Sequence, residues 1–303
     1  MSCLKRKQHF ASLVAALAAV AVVPARAETE PTGKNGAKVE KWAEKLEAPQ
    51  GLARDHKGNV FVVESGAGRV LRFERSGKKF DVYVEGLKAP AFALYARDDV
   101  LYVGQRNANL VATVRGKDGA LGTSVEVADP LGLAPDPQNP QAILVVSHRT
   151  SEIKRFFVKD VEFSGKKVRY LFPSEEPQAQ VFAAAKAGGK YGWRDLVLAR
   201  GGTLYVTDEV AGAVLRRVPG GSLEEWAKGL SSPSGLALSP SGELFVTEEG
   251  TGRLSRVAPD GRAVVVAEGL GQARDALFLD RRRVLVTDRA GGNVWLVTLP
   301  PGR

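Results

Sequence analysis

Six apolar segments of similar build recur along this chain of 303 residues, and their spacing constrains the fold more than any other feature. "VFVVE" ends at Glu64, "LYVGQ" at Gln105, "ILVVS" at Ser147, "LYVTD" at Asp208, "LFVTE" at Glu248 and "VLVTD" at Asp288. The gaps between these ends are 41, 42, 61, 40 and 40 residues. A second apolar segment and a polar turn precede each step: "PQGLARDHKG", "PAFALYARDD", "PLGLAPDPQNPQ", "WRDLVLARGG", "PSGLALSPSG" and "ARDALFLDRR". An amphipathic segment such as "GRVLRF" or "GNVWLV" follows. A fourth segment, such as "KFDVYVEGL" or "LEEWAKGL", completes most units. Four short strands every forty residues, with turns between them, predict a β-propeller, because no four-stranded sheet can bury both faces without neighbours.

The sixth unit reaches the end of the chain with three strands. The missing one is found at the other end, where "VEKWAEKLEAP" matches "SLEEWAKGLSSP". Trp42, Tyr83 and Trp226 each stand seven residues before a proline, namely Pro49, Pro90 and Pro233. The prediction is an all-β, six-bladed propeller of four-stranded antiparallel blades, with an N-terminal strand closing the last blade and removing the open edges. It is a single domain over 37–303, after a polar lead at 28–36. The long connection between blades 3 and 4, "SEEPQAQVFAAAKAGGKYG", breaks the strand rhythm. Ser174 as N-cap, acids in the first turn and Gly188 or Gly189 as a stop predict one short helix at 175–187, beside the channel mouth.

The first 27 residues stand outside the repeat. Lys5, Arg6 and Lys7, an apolar run and "ARA" at Ala25 to Ala27 read as a signal peptide cleaved after Ala27, so the mature chain is expected to be periplasmic or secreted. Cys3, the one cysteine, goes with that segment, which leaves neither disulfide nor thiolate metal site. The formal charge falls from +9 to +5 with the loss of four basic residues, too mild for a nucleic-acid binder. No later segment has the length and hydropathy of a membrane span. The expectation is a monomer that binds a small molecule or a protein.

"PSGLALSPSGELFVTEEGTGRLSRV" (233–257) and "PQGLARDHKGNVFVVESGAGRVLRF" (49–73) resemble NHL-type propeller repeats and the wider group of gluconolactonases, strictosidine synthase-like proteins and quinoprotein sugar dehydrogenases. The resemblance spans all six units and implies architecture; this fold hosts many chemistries. In the lactonases it implies a metal held by a Glu in an E-G-P motif, an Asn, and an Asp in P-D-G. Here those stretches read "PQG" at Pro49 to Gly51 and "PSG" at Pro233 to Gly235, so no such metal is expected.

In such a blade the first strand lines the channel, and its start shares the top face with the end of the second strand. The residue pairs opening the first strands are Gln50-Gly51, Ala91-Phe92, Leu131-Gly132, Arg194-Asp195, Ser234-Gly235 and Arg274-Asp275. Blades 4 and 6 alone carry charge there. Arg194 and Arg274, facing each other across Ser234, could hold an anion; the plainer reading is that each arginine pairs with a nearby acid and ties blades together. Strand alternation should turn Asp195 and Asp275 away from the arginines. Gln50, Ser234 and Trp193 complete the candidate ligand site, with Trp193 as an apolar wall. The acids Glu64, Asp208, Glu248 and Asp288 read as acceptors for turn N–H groups. His148 is the one histidine of the mature chain placed to act as a base near the channel. Three functional readings follow in order: a ligand-binding propeller without catalysis, a lactonase-like hydrolase, and a quinoprotein dehydrogenase. The last lacks the calcium-binding insertions and any haem motif, and no cofactor is expected.

Overall fold

A computed structural model describes residues 30–96, 99–136, 138–163, 166–173, 181–186 and 190–301. Six antiparallel sheets stand around a central axis. Their innermost strands are Pro49–Arg54, Pro90–Tyr95, Pro130–Pro135, Trp193–Leu198, Pro233–Leu238 and Ala273–Phe278. The second strands are Val60–Glu64, Val100–Gln105, Ala142–Ser147, Leu204–Asp208, Leu244–Glu248 and Arg283–Asp288. These second strands are buried over almost their whole length. Neighbouring blades cover both faces, which is why the sequence there runs apolar instead of alternating.

The core is divided accordingly. Six clusters of buried side chains fill the six interfaces between successive blades. One of them joins Leu52 and Val62 of blade 1 to Leu285 and Val294 of blade 6, so the ring is closed by packing as well as by hydrogen bonds. Each fully buried Val or Leu contributes about 1.5–3 kcal/mol.

Lys38–Ala43 pairs antiparallel with Asn293–Thr298 and supplies the outer strand of blade 6, as the Trp42–Trp226 match predicts. Trp42 is only partly buried; it packs on Phe73 of blade 1 with ring centroids 4.9 Å apart. Beneath it lies Gly77 (φ +72°), where a Cβ would come within 2.5 Å of the indole nitrogen. The lead also contains structure: Thr32–Gly33 adds a short fifth strand to blade 5.

The helix expected at 175–187 is not formed at 181–184. Residues 174–180 and 187–189 lie outside the described residues, and Val181–Ala184 is a β-strand. The reason lies in blade 3, whose third strand, Glu152–Phe163, has 12 residues. Its outer neighbour, Lys166–Pro173, covers only Phe156 to Phe163, and Val181–Ala184 pairs with the remaining edge at Glu152–Lys154. Edge backbone groups offer hydrogen bonds that outweigh a short isolated helix. Phe182 then lies between the guanidinium groups of Arg155 and Arg217, at 4.7 and 4.6 Å. Among the described residues the helical element is a single 3-10 turn, Arg106–Ala108, and no helix is long and apolar enough to cross a membrane.

Candidate functional site

The channel wall is built by a repeated device. Every innermost strand slips register just after its first residue. The slip leaves the N–H of the third residue without a ladder partner. In blades 4, 5 and 6 the threonine of the Val-Thr-acid step fills the gap. Asp195 N donates to Thr207 Oγ1 at 3.0 Å, Gly235 N to Thr247 Oγ1 at 2.8 Å and Asp275 N to Thr287 Oγ1 at 3.0 Å. Each hydroxyl then donates across the interface, to the carbonyl of Ser234, Arg274 and Gln50 respectively. The acid that follows anchors the loop before the innermost strand. Glu64, Asp208, Glu248 and Asp288 accept the N–H of Glu47, Gly192, Ser231 and Gln272.

Asp195 and Asp275 form a deeper pair. Both carboxylates are buried and line the channel. Asp195 accepts Leu196 N and, from blade 5, Leu236 N, each at 2.8 Å. Asp275 accepts Ala276 N and, from blade 1, Leu52 N, each at 2.7 Å. Neither meets a guanidinium or ammonium among the described residues. Burial pushes Asp195 up to about 7. Burial, and then the charge of Asp195, raise Asp275 well above the carboxylate range. Glycine makes room on the other flank: a Cβ on Gly132 would lie 2.3 Å from Asp195 Oδ1, and one on Gly235 would lie 2.7 Å from Asp275 Cα.

Above them, the residue after each second strand forms a ring around the mouth: Ser65, Arg106, His148, Glu209, Glu249 and Arg289. Each donates its N–H to the carbonyl just before the innermost strand of its own blade, at 2.9–3.2 Å. On the side of blades 4 to 6 the charges close on themselves. Arg194 pairs with Glu209 and lies 3.6 Å from Glu249; Arg274 pairs with Glu249 at 2.7 Å. Burial, with Arg194 nearby, lowers Arg274 to about 10. Neither arginine pairs with the aspartate beside it in sequence. Ser234 is buried between them, and its Oγ has no hydrogen-bond partner among the described residues. Trp193 forms no wall of the mouth: it is fully buried between blades 3 and 4, because the first residue of its strand faces the interface core.

His148 sits at the seam between the two sides. Its Nδ1 lies 2.8 Å from the carbonyl of Trp193, and its Nε2 lies 3.6 Å from Glu209 Oε1. A carbonyl can only accept, so Nδ1 carries the hydrogen and a neutral ring presents Nε2 as a lone pair.

On the side of blades 1 to 3 the mouth opens into a pocket of about 490 Å³, lined by Gln50, Arg106, Asn107, Arg149 and Arg289 among others. Arg106 is bound to Asp129 through two hydrogen bonds of 2.6 and 2.9 Å. Arg149 and Arg289 have no carboxylate partner among the described residues, and Arg289 Nε is buried without any hydrogen bond. Among the described residues the Arg289 side chain reaches Gln272 Oε1, at 3.5 Å. Sequence reasoning missed Arg106, Arg149, Glu209, Glu249 and Arg289. For all of these but Arg149 the signal was available in the residue one place after each aligned step, where five of the six side chains are Arg, His or Glu.

No family model matches the chain, and no curated protein matches it in sequence. Solved structures do match in fold. A virginiamycin B lyase from Staphylococcus aureus is 13% identical, with a TM-score of 0.65 over 87% of this chain and 100% of the lyase. A gluconolactonase from Xanthomonas campestris is 17% identical, with a TM-score of 0.64 over 88% of this chain and 91% of that one. In fold, the chain is a six-bladed propeller of the gluconolactonase and virginiamycin B lyase type. A lactonase-like metal does not fit the residues present. The stretches that the resemblance sets against the lactonase motifs hold Gln50 and Ser234 instead of acids, and no group of three or more His, Cys, Asp or Glu side chains converges among the described residues. Glu209 and Glu249 are already held by guanidinium groups.

Proposed function

We propose that this chain is an exported propeller that binds a small anionic ligand at the top of its channel. The observation that carries the reading is the uneven charge of the mouth. Arg194 and Arg274 are balanced by Glu209 and Glu249, whereas among the described residues Asp129 is the one carboxylate in ion-pair contact with Arg106, Arg149 or Arg289. The surplus lies on the pocket side. There Arg289 lines the pocket without a carboxylate partner among the described residues, and the carboxylate or phosphate of a ligand would supply one. The Arg194–Glu209 and Arg274–Glu249 pairs serve as the rigid opposite wall, and the ligand is held chiefly by Arg289 and Arg149. Gln50 and Asn107 supply neutral donors beside it.

The test is native mass spectrometry of the exported protein for a retained ligand, followed by titration with a panel of carboxylates and phosphates. Arg289→Ala should weaken binding by about 1.5–3 kcal/mol, the range for a hydrogen bond to a charged group. If no anion binds, or if Arg289→Ala leaves binding intact, the reading fails.

A second reading rests on His148. With its tautomer fixed by the Trp193 carbonyl, Nε2 could take a proton from a ligand bound in the mouth, as a hydrolase or lyase requires. The names of the structural neighbours, a lactonase and a lyase, support this reading. Turnover of a bound ligand that His148→Ala abolishes and His148→Gln does not restore would place it first.

A further inference from the structure

The pocket on the open side of the mouth follows half of the ring. From blade 6 through blades 1 and 2 to blade 3 it is lined in turn by Arg289, Gln50, Asn107 and Arg149. The innermost strands meet in chain order and the last meets the first, so blades 3 and 6 stand opposite each other across the channel. Arg149 and Arg289, the guanidinium groups of the pocket without a carboxylate partner among the described residues, therefore mark its two ends. Arg106 stands between them in blade 2 and is taken up by both oxygens of Asp129. A cation at each end of one pocket, with a neutralised pair between, is complementary to a ligand with two separated anionic groups.

The Arg289 end carries a second sign of a ligand. Gln50 is 4% exposed, yet it lines the pocket, and its side-chain amide forms no hydrogen bond among the described residues. An amide so deeply set is costly unless a polar group meets it. Thr287, two residues before Arg289, donates to the Gln50 carbonyl at 2.7 Å, so Gln50 and Arg289 stand at the same seam, between blades 6 and 1. Arg289 is half-buried and Arg149 is exposed. One anionic group would thus be fixed by a guanidinium and an amide together, and the other met by a long side chain that reaches in from the opposite rim.

We propose that the mouth binds a linear dianion lying across the channel, with one carboxylate on Arg289 and Gln50 and the other on Arg149. This rests on the anion reading and adds the class of ligand to it. The Arg194–Glu209 and Arg274–Glu249 pairs, whose charges are already matched, keep the ligand to this side.

The probes are adipate, hexanoate and malonate, titrated calorimetrically into the mature chain near pH 8 at low salt. Adipate has a carboxylate at each end, hexanoate has the same length and one carboxylate, and malonate has two on a single carbon. Adipate should bind about tenfold more tightly than either, because its second carboxylate engages as a tethered group. Arg149→Ala should bring adipate down to the level of hexanoate and leave hexanoate unchanged. Arg149→Lys, which keeps the charge and loses the fork, should restore part of the difference. Arg289→Ala should weaken all three. The inference is overturned if hexanoate or malonate binds as tightly as adipate, or if Arg149→Ala leaves adipate binding intact; in either case an anion still binds and the reading of the mouth stands. It is also overturned if none of the three binds, and inorganic phosphate, titrated alongside, then decides whether the anion reading falls with it.

Discussion

Thr207 Oγ1 donates to the carbonyl of Ser234 at 2.6 Å while accepting the N–H of Asp195, and so joins two blades through one hydroxyl. The same bond pair recurs at Thr247 and Thr287. Thr247→Val keeps the shape of the side chain and removes both bonds. It leaves the N–H of Gly235 and the carbonyl of Arg274 buried and short of a partner, at a cost of about 1–3 kcal/mol for each group left unsatisfied. Urea unfolding should show a lower midpoint with an unchanged slope. An unaltered midpoint would mean that water or slippage replaces the bonds.

The Asp195–Asp275 pair predicts a pH dependence of unusual sign. Burial raises both carboxyl groups above their ordinary value of 3.8, Asp195 to about 7. The folded state therefore holds more protons than the unfolded state between those values. Stability is greatest at the acid end of that window and declines as pH rises from about 4 to 7, with a further decline as Asp275 loses its proton. Melting temperatures measured from pH 5 to 8 should fall for the wild type. In the Asp195→Asn, Asp275→Asn double variant the slope should flatten. A rising profile in the wild type would contradict the burial of uncompensated carboxyl groups.

Arg274 is buried, with Glu249 as its ion-pair partner, so Arg274→Ala strands a carboxylate that Arg194 meets only at 3.6 Å. The expected loss is about 3–5 kcal/mol, the usual cost of breaking a buried pair from one side. Arg289, which has no such partner, should be replaceable by Ala with little change in melting temperature. Equal effects of the two substitutions would remove the distinction between the two sides of the mouth.

The closing strand predicts the outcome of truncation. Removing residues 28–47 takes away the partner of Asn293–Thr298 and should abolish cooperative unfolding. Trp42→Ala should cost roughly 1–3 kcal/mol, less than a fully buried Trp, because the ring is only partly buried against Phe73. A truncated chain with a wild-type melting curve would sink the closure.

Processing is checked separately. Edman sequencing or intact mass of exported protein should place the mature N-terminus at Glu28, and a mature chain that retains Cys3 would refute cleavage.

The sequence by itself determined the number of blades, the order of strands in each, and the closure of the ring by Lys38–Ala43. These follow from local patterning that every blade repeats, since each must bury two faces and turn at set intervals. The pairing of Trp42 with the position of Trp226 was legible for the same reason. Tertiary structure decided what local pattern cannot carry. Val181–Ala184 reads as helix in isolation and becomes a strand because an edge at Glu152–Lys154, far earlier in the chain, stands unpaired. For Arg194 and Arg274 the sequence leaves two readings, ligands for an anion or partners of a nearby acid, and does not name the acid. Glu209 meets Arg194 within blade 4, at the end of the paired strand, whereas Glu249 of blade 5 reaches Arg274 of blade 6 only once the ring sets neighbouring blades side by side. Charge at the mouth is a sum over six blades, and which guanidinium remains without a carboxylate depends on distances between blades that no single repeat encodes.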